Sequence, residues 1–180
     1  AFTVSVLDRG VPLLQLPADM TVEATGDDGA VVDFEVTASD DVDADPAVSC
    51  TPASGSRFAL GSTAVECAAT DGDGNESTGG FTVTVLDSTG PELDLPDVVE
   101  VTATGPDGAI VAADVTASDT VAGTVPVDCE PPSGSLFPVG ATTVTCTASD
   151  AAVPSSAISG WARPAQVDSG NVSTGSFTVV

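Results

Sequence analysis

Apolar and polar residues alternate with period two through most of the chain, the spacing of half-buried strands. In Val32-Asp33-Phe34-Glu35-Val36-Thr37-Ala38 every second side chain is apolar, and Val111, Ala113, Val115 and Ala117 read out the same face further on. Val65, Cys67 and Ala69 alternate with Ala64, Glu66 and Ala68, and Val144, Cys146 and Ala148 alternate with threonines. Phe81, Val83 and Val85 alternate with Thr82 and Thr84. Clusters of Gly, Pro, Asp and Ser separate these runs, and no run carries a convincing helical period. The pattern predicts an all-β fold of short antiparallel strands packed as sandwiches.

The pattern also repeats. Pro12-Leu13-Leu14-Gln15-Leu16-Pro17 returns as Pro91-Glu92-Leu93-Asp94-Leu95-Pro96, and the match continues without a gap at an offset of 79 residues, carrying Cys50 onto Cys129 and Cys67 onto Cys146. Two tandem modules are predicted, over residues 9–87 and 88–180, joined by a short linker such as Ser88-Thr89-Gly90-Pro91. The one departure is a 17-residue insertion within 151–168 of the second copy, which holds Trp161 and Arg163. An insertion between two strands sits at an end of a sandwich, so Trp161 and Arg163 are candidates for partner contact, against a local lid as the alternative.

Residues 2–8, Phe-Thr-Val-Ser-Val-Leu-Asp, duplicate Phe81–Asp87, the closing strand of the first copy. They are expected to be the closing strand of a preceding module, in a window cut from a longer array. The alternative is a donor strand, with Phe2, Val4 and Val6 completing a sheet in a neighbouring molecule and building a fibre.

Each copy holds two cysteines 17 residues apart, which fits one bridge within each module, Cys50 with Cys67 and Cys129 with Cys146. Neither pair has CxxC spacing, and the chain has no histidine, so a transition-metal site is not expected. Persistent bridges imply an oxidising compartment outside the cytoplasm.

Composition changes the picture chiefly through charge. Among 180 residues, 27 are acidic and three basic, for a formal net charge of −24. Such a surface repels phosphate backbones and anionic headgroups, which excludes nucleic acid and direct membrane binding as expected partners. No run of about 18 apolar residues exists to span a bilayer, and the opening residues have no basic and apolar leader pattern. With 42% hydrophobic and 4% aromatic residues, the cores are expected to be built from Val, Ala and Thr.

These residues resemble the hyalin repeat, an immunoglobulin-like module found in tandem in extracellular and cell-surface proteins. The matching signature runs from the Leu-x-Leu-Pro motif through Val36-Thr37-Ala38-Ser39-Asp40, Cys50-Thr51-Pro52-Ala53-Ser54-Gly55-Ser56 and Cys67-x-Ala69-Thr70-Asp71 to Gly74-Asn75 and Phe81-Thr82-Val83-Thr84-Val85. The second copy keeps Val115–Asp119, Ser133-Gly134-Ser135, Cys146–Asp150 and a displaced Gly170-Asn171. The resemblance implies two tandem immunoglobulin-like sandwiches, one disulfide each, acting as a non-catalytic structural or adhesive ectodomain. Its expected partners are neighbouring repeats, other copies of itself, or a cell-surface protein or glycan. An accessory module of a secreted enzyme is the remaining alternative.

A histidine-based acid-base site is excluded by composition, and no catalytic residue is expected. Calcium is the candidate cofactor. Asp71, Asp73 and Asn75 have the alternate spacing that wraps oxygen ligands around a hard cation, and Asp40, Asp41, Asp43 and Asp45 form a second oxygen-rich run. Thr82 stands where an EF-hand loop needs its Glu, and Asp-Gly-Asp-Gly-Asn is also a good hairpin turn. The second copy has Thr120, Ala122 and Ala152 in place of Asp41, Asp43 and Asp73, so the first module could bind calcium and the second could not by the same means. Asn75-Glu76-Ser77 and Asn171-Val172-Ser173 satisfy the N-glycosylation pattern, making Asn75 and Asn171 candidate acceptors.

Overall fold

The computed structural model describes residues 2–4, 6–150 and 170–180. Every regular element among them is a strand, and the chain divides into two compact units, Ala1–Leu86 and Asp87–Val180.

The first unit contains β1 (Leu13–Gln15), β2 (Met20–Glu23), β3 (Ala30–Val32), β4 (Thr37–Ser39), β5 (Ala47–Thr51), β6 (Ser56–Phe58), β7 (Gly61–Thr70) and β8 (Glu76–Leu86). One layer is a four-stranded sheet in the order β2-β8-β7-β5, antiparallel except that β2 runs parallel to β8. The other is made of two short pairs, β1 with β4 and β3 with β6. The second unit repeats the plan with β9 (Glu92–Asp94), β10 (Val98–Val99), β11 (Ala109–Val111), β12 (Thr116–Asp119), β13 (Gly123–Val125), β14 (Val127–Glu130), β15 (Ser135–Phe137), β16 (Thr142–Ser149) and β17 (Val172–Val179). Its sheet runs β10-β17-β16-β14, faced by β11 with β15 and by β13-β12-β9.

Each core forms between the layers from the positions that the alternation marks. Val65, Val83 and Val85 are buried in the first unit, and Val144, Cys146, Phe177 and Val179 pack with Val111 and Phe137 in the second. The repeated Leu-x-Leu motif has a steric reason. A side chain at Gly79 would meet the Leu16 and Leu14 methyl carbons, and one at Gly175 would meet Leu95 and Leu93, so the leucines lie over bare backbone of the closing strand.

The unbroken strand expected over Val32–Ala38 is divided, since β3 ends at Val32 and β4 starts at Thr37. Ser54 explains the break. Its hydroxyl accepts from the Phe34 N–H at 2.9 Å and donates to the Phe34 carbonyl at 2.8 Å, taking both groups a ladder would use. Ser133 holds Ala113 in the same way. Phe34 packs edge-to-face on Phe81 with ring centroids 5.0 Å apart. Ala113 stands at the corresponding place, where a small apolar cavity of about 10 Å³ lies beside Phe177.

The expected bridges form, Cys50 with Cys67 and Cys129 with Cys146. Both join residues directly opposite in neighbouring strands of one sheet, Cα atoms 4.0 Å apart, so each ties an outer strand to its sheet rather than one layer to the other. Closing a loop of this length contributes about 3 kcal/mol in the chain-entropy model.

The turn after β2 depends on one glycine. Gly29 has φ +96°, and its carbonyl accepts from the N–H and hydroxyl of Thr25. A Cβ there would run into the Phe58 carbonyl oxygen, and Gly108 is held in the same way against Phe137. Gly29→Ala should therefore cost about 3 kcal/mol through strain and overlap together, whereas Gly74→Ala, at φ +91° with open space around it, should cost only about 1–2 kcal/mol. Urea unfolding of the two variants tests the ranking; equal losses would contradict it.

Candidate functional site

At one end of each unit, three segments converge. The first is the residue at which the chain arrives, Asp8 or Asp87. The second follows β4 or closes β12 and carries Asp40 or Asp119, and the third follows β7 or β16 and carries Asp71 or Asp150. One carboxylate oxygen from each of Asp8, Asp40 and Asp71 lies within 4.8 Å of the other two, and Asp87, Asp119 and Asp150 form the same group. Asp71 and Asp150 are buried, at 8% and 6% exposure, and the others are half-buried.

Hydrogen bonds hold these carboxylates in place. Asp71 Oδ1 accepts from the backbone N–H groups of Asp73 and Asn75 at 3.0 and 2.8 Å, while Oδ2 accepts from the Asn75 side-chain amide at 2.7 Å. The same amide nitrogen reaches the Asp8 carbonyl at 3.4 Å. In the second unit Asn171 donates to Asp150 Oδ1 at 2.6 Å through its backbone and to Oδ2 at 3.0 Å through its side chain, which also donates to the Asp87 carbonyl at 3.2 Å. Asp40 Oδ2 caps its own turn by accepting from Val42 and Asp43, as Asp119 Oδ1 does from Val121 and Ala122. Each asparagine therefore fastens a turn to the arriving backbone.

Three carboxylates this close repel one another. Arg57 pairs with Asp28 at 2.8 Å on the exposed surface, away from the first group. The Asn75 side-chain amide, helped by the backbone N–H groups of Asn75, Asp73 and Gly74, holds the Asp71 carboxyl below its ordinary value of 3.8 against the opposing effect of burial. The donor set is all oxygen and anionic, which suits a hard divalent cation and not a soft transition metal.

The structure brings together a different set from the one that sequence spacing suggests. Asp40 and Asp71 belong to it, while Asp8, 63 residues before Asp71, joins them without having been singled out. Asp41 and Asp73 are exposed outside the group, and Asp43 ties the two turns together by accepting from the Gly72 N–H at 2.8 Å. Asn75 acts as an amide donor to Asp71 and Asp8. Asp41, Asp43 and Asp73, which the second copy lacks, are not group members, and the three that are have counterparts there. That correspondence was the available signal, because Asp8, Asp40 and Asp71 all recur at the 79-residue offset.

Asn75 and Asn171 are half-buried, and their amide nitrogens, the atoms a glycan would attach to, are the ones engaged in these bonds. Trp161 and Arg163 lie outside the described residues. Phe2, Val4 and Val6 are exposed and belong to no strand.

A family model described as the HYR domain matches the chain twice, over residues 7–85 and 86–157. None of the curated proteins compared with the chain gives a significant match. Similar solved structures include protocadherin gamma B7 extracellular cadherin domains 1–4, at 15% identity and TM-score 0.39, covering 94% of this chain and 49% of that one. Drosophila N-cadherin EC1-4 is similar at 11% identity and TM-score 0.37, with 94% and 49% covered. Mouse cadherin-23 EC22-24 follows at 16% identity and TM-score 0.36, with 96% and 64% covered. The chain thus spans about half the length of the first two structures.

Because the folded value of Asp71 is depressed, the stability it supplies is complete above its ordinary value of 3.8 and is lost as pH falls through the lower folded value. Asn75→Ala removes the main cause of that depression. The variant should melt below the parent at neutral pH, and the gap should narrow in acid below 3.8, with the Asp71 carboxyl titrating higher by NMR. A gap independent of pH would contradict this role for Asn75.

Proposed function

This chain belongs to the HYR-domain family, and from that membership we propose that it is a non-catalytic extracellular pair of modules in a tandem-repeat stalk or surface fibre. Its use is structural and adhesive: it sets spacing and presents surface for neighbouring repeats, other copies, or a cell-surface protein or glycan. One observation carries the reading. Leu86 accepts from the Ala24 N–H in the first unit, and the very next residue, Asp87, accepts from the Asn171 amide in the second. Consecutive residues are thus anchored in different modules, and the expected linker Ser88–Pro91 falls inside the second unit. Modules that follow one another directly in sequence suit a chain that spans distance. The disulfides support an oxidising, extracellular location.

Calcium completes the reading. Asp8, Asp40 and Asp71 would hold one ion, and Asp87, Asp119 and Asp150 a second, through carboxylate oxygens of the hard type that calcium selects. The bound ion would supply positive charge that removes the repulsion within each group. Asp8 and Asp87, being the arriving residues, link that charge balance to the way each module receives the chain before it.

Thermal unfolding with calcium as the probe tests this proposal. At about 100 times the dissociation constant, binding to a module adds about 2.7 kcal/mol, a rise in melting temperature on the order of 10 °C. The double variant Asp8→Asn, Asp87→Asn should lose most of the rise. No rise at about 10 mM calcium, well above the roughly 10⁻⁴–10⁻³ M constants of extracellular modules, would overturn the calcium assignment.

A further inference from the structure

We propose that the outer face of the first unit's four-stranded sheet is a docking groove for an extended segment of a partner protein that carries lysine or arginine side chains. The proposal rests on the adhesive reading above and deepens it by naming a surface and the chemistry of its partner.

The groove follows from register. Val65, Cys67 and Ala69 are buried, so Ala64, Glu66 and Ala68 take the outward positions of β7. On β8, Phe81 and Val83 are buried, and Thr78, Gly80 and Thr82 take the outward positions. The ladders set Glu66 opposite Gly80 on one side and Thr51 on the other, with Ala64 opposite Thr82 and Ala68 opposite Thr78. Glu66 therefore stands among methyl groups, hydroxyls and bare backbone, and a groove of about 740 Å³ opens around it. The fold imposes the bare floor. A Cβ at Gly80 would lie 2.6 Å from the Val65 carbonyl oxygen, so a side chain is kept off this position by the close approach of β7.

Charge selects the partner. Two carboxylates, Asp19 and Glu66, line the groove together with hydroxyls, and no basic residue does. Phosphates, acidic glycans and acidic peptides are repelled from such a surface on a chain of formal charge −24. A neutral sugar finds no aromatic platform, because Phe81, the aromatic residue at the groove, is buried and packs its ring on Phe34. Carboxylate and hydroxyl oxygens accept from an ammonium or guanidinium group. The chain itself has three basic residues, and Arg57 is paired with Asp28, so these cations come from another protein.

Spacing selects an extended segment. Asp19 precedes β2 and is fixed beside β8, its Oδ1 accepting from the Thr82 N–H at 2.8 Å. It is thus two strands across and two residues along from Glu66, about 12 Å between Cα atoms at ordinary sheet spacings. Basic residues at positions i and i+4 of an extended chain share one face and lie about 13 Å apart, which matches that separation.

The second unit is an internal contrast. At the corresponding register it carries Val98, Thr145 and Ser176 in place of Asp19, Glu66 and Gly80. Its carboxylates on this face, Asp128 and Glu130, stand on the outer strand β14 where the first unit has Ser49 and Thr51. The two units thus share a buried pattern and differ on the face that meets a partner.

Titration of the full chain with a short peptide tests the proposal, read by backbone ¹⁵N–¹H shifts at about 0.15 M salt. The probe is capped Gly-Lys-Thr-Ser-Thr-Lys-Gly, and its control, Gly-Thr-Lys-Lys-Ser-Thr-Gly, has the same composition with the lysines adjacent. Saturable shifts are expected at Glu66, Gly80 and Thr82, with the control binding several-fold more weakly. Asp19→Asn with Glu66→Gln should weaken the probe about tenfold, since each exposed ion pair contributes up to about a factor of five. Asp128→Asn with Glu130→Gln should change binding less than about twofold. Equal binding of the two peptides, or equal losses in the two double variants, would show general attraction to an acidic surface and overturn the proposal. Absence of shifts on the outer face of the first unit would overturn it as well. The calcium-dependent rise in melting temperature is measured on the same samples before peptide is added. A normal rise without peptide binding therefore rejects the groove and leaves the calcium assignment above standing.

Discussion

The interaction on which the ends of both modules depend is a single asparagine side chain shared between a carboxylate and an incoming backbone. Asn75 bonds Asp71 four residues before it, and Asn171 bonds Asp150 across 21 residues. The intervening chain changes completely, yet both carboxylate oxygens keep an N–H donor from the asparagine in each module.

That geometry connects to the charge of the chain. The asparagine amide and the nearby backbone N–H groups favour an ionised Asp71 even though two other carboxylates face it. In each unit three of the acidic residues are thus gathered into one group, and not only spread as a solubilising surface. Within each unit Asp8 or Asp87 belongs to the acidic group through its carboxylate and accepts from the turn asparagine through its carbonyl.

Much of the fold was legible in residue pattern because its causes are local or periodic. Alternation marked the buried face of β7, β8 and β16, the cysteine spacing marked the bridges, and the repeated Leu-x-Leu-Pro marked the strand that lies over Gly79 and Gly175. What escaped depends on distant partners. The break after Val32 comes from a serine 20 residues away, and the place of Asp8 depends on Asn75, 67 residues away. Sequence spacing favoured Asp41, Asp43 and Asp73 because they sit beside other acids, but proximity along a turn does not decide which oxygens converge. Comparison of the two copies held the better clue, since Asp8, Asp40 and Asp71 persist where their acidic neighbours do not.

The account turns on a junction in which Leu86 and Asp87 are each anchored to a different module. Backbone ¹⁵N relaxation across residues 84–92, recorded with calcium present, measures this directly. Order parameters near 0.85, equal to those of the flanking strands, are expected if no residue at the boundary is free. Values below about 0.6 at Leu86 to Thr89 would show a flexible tether and contradict it.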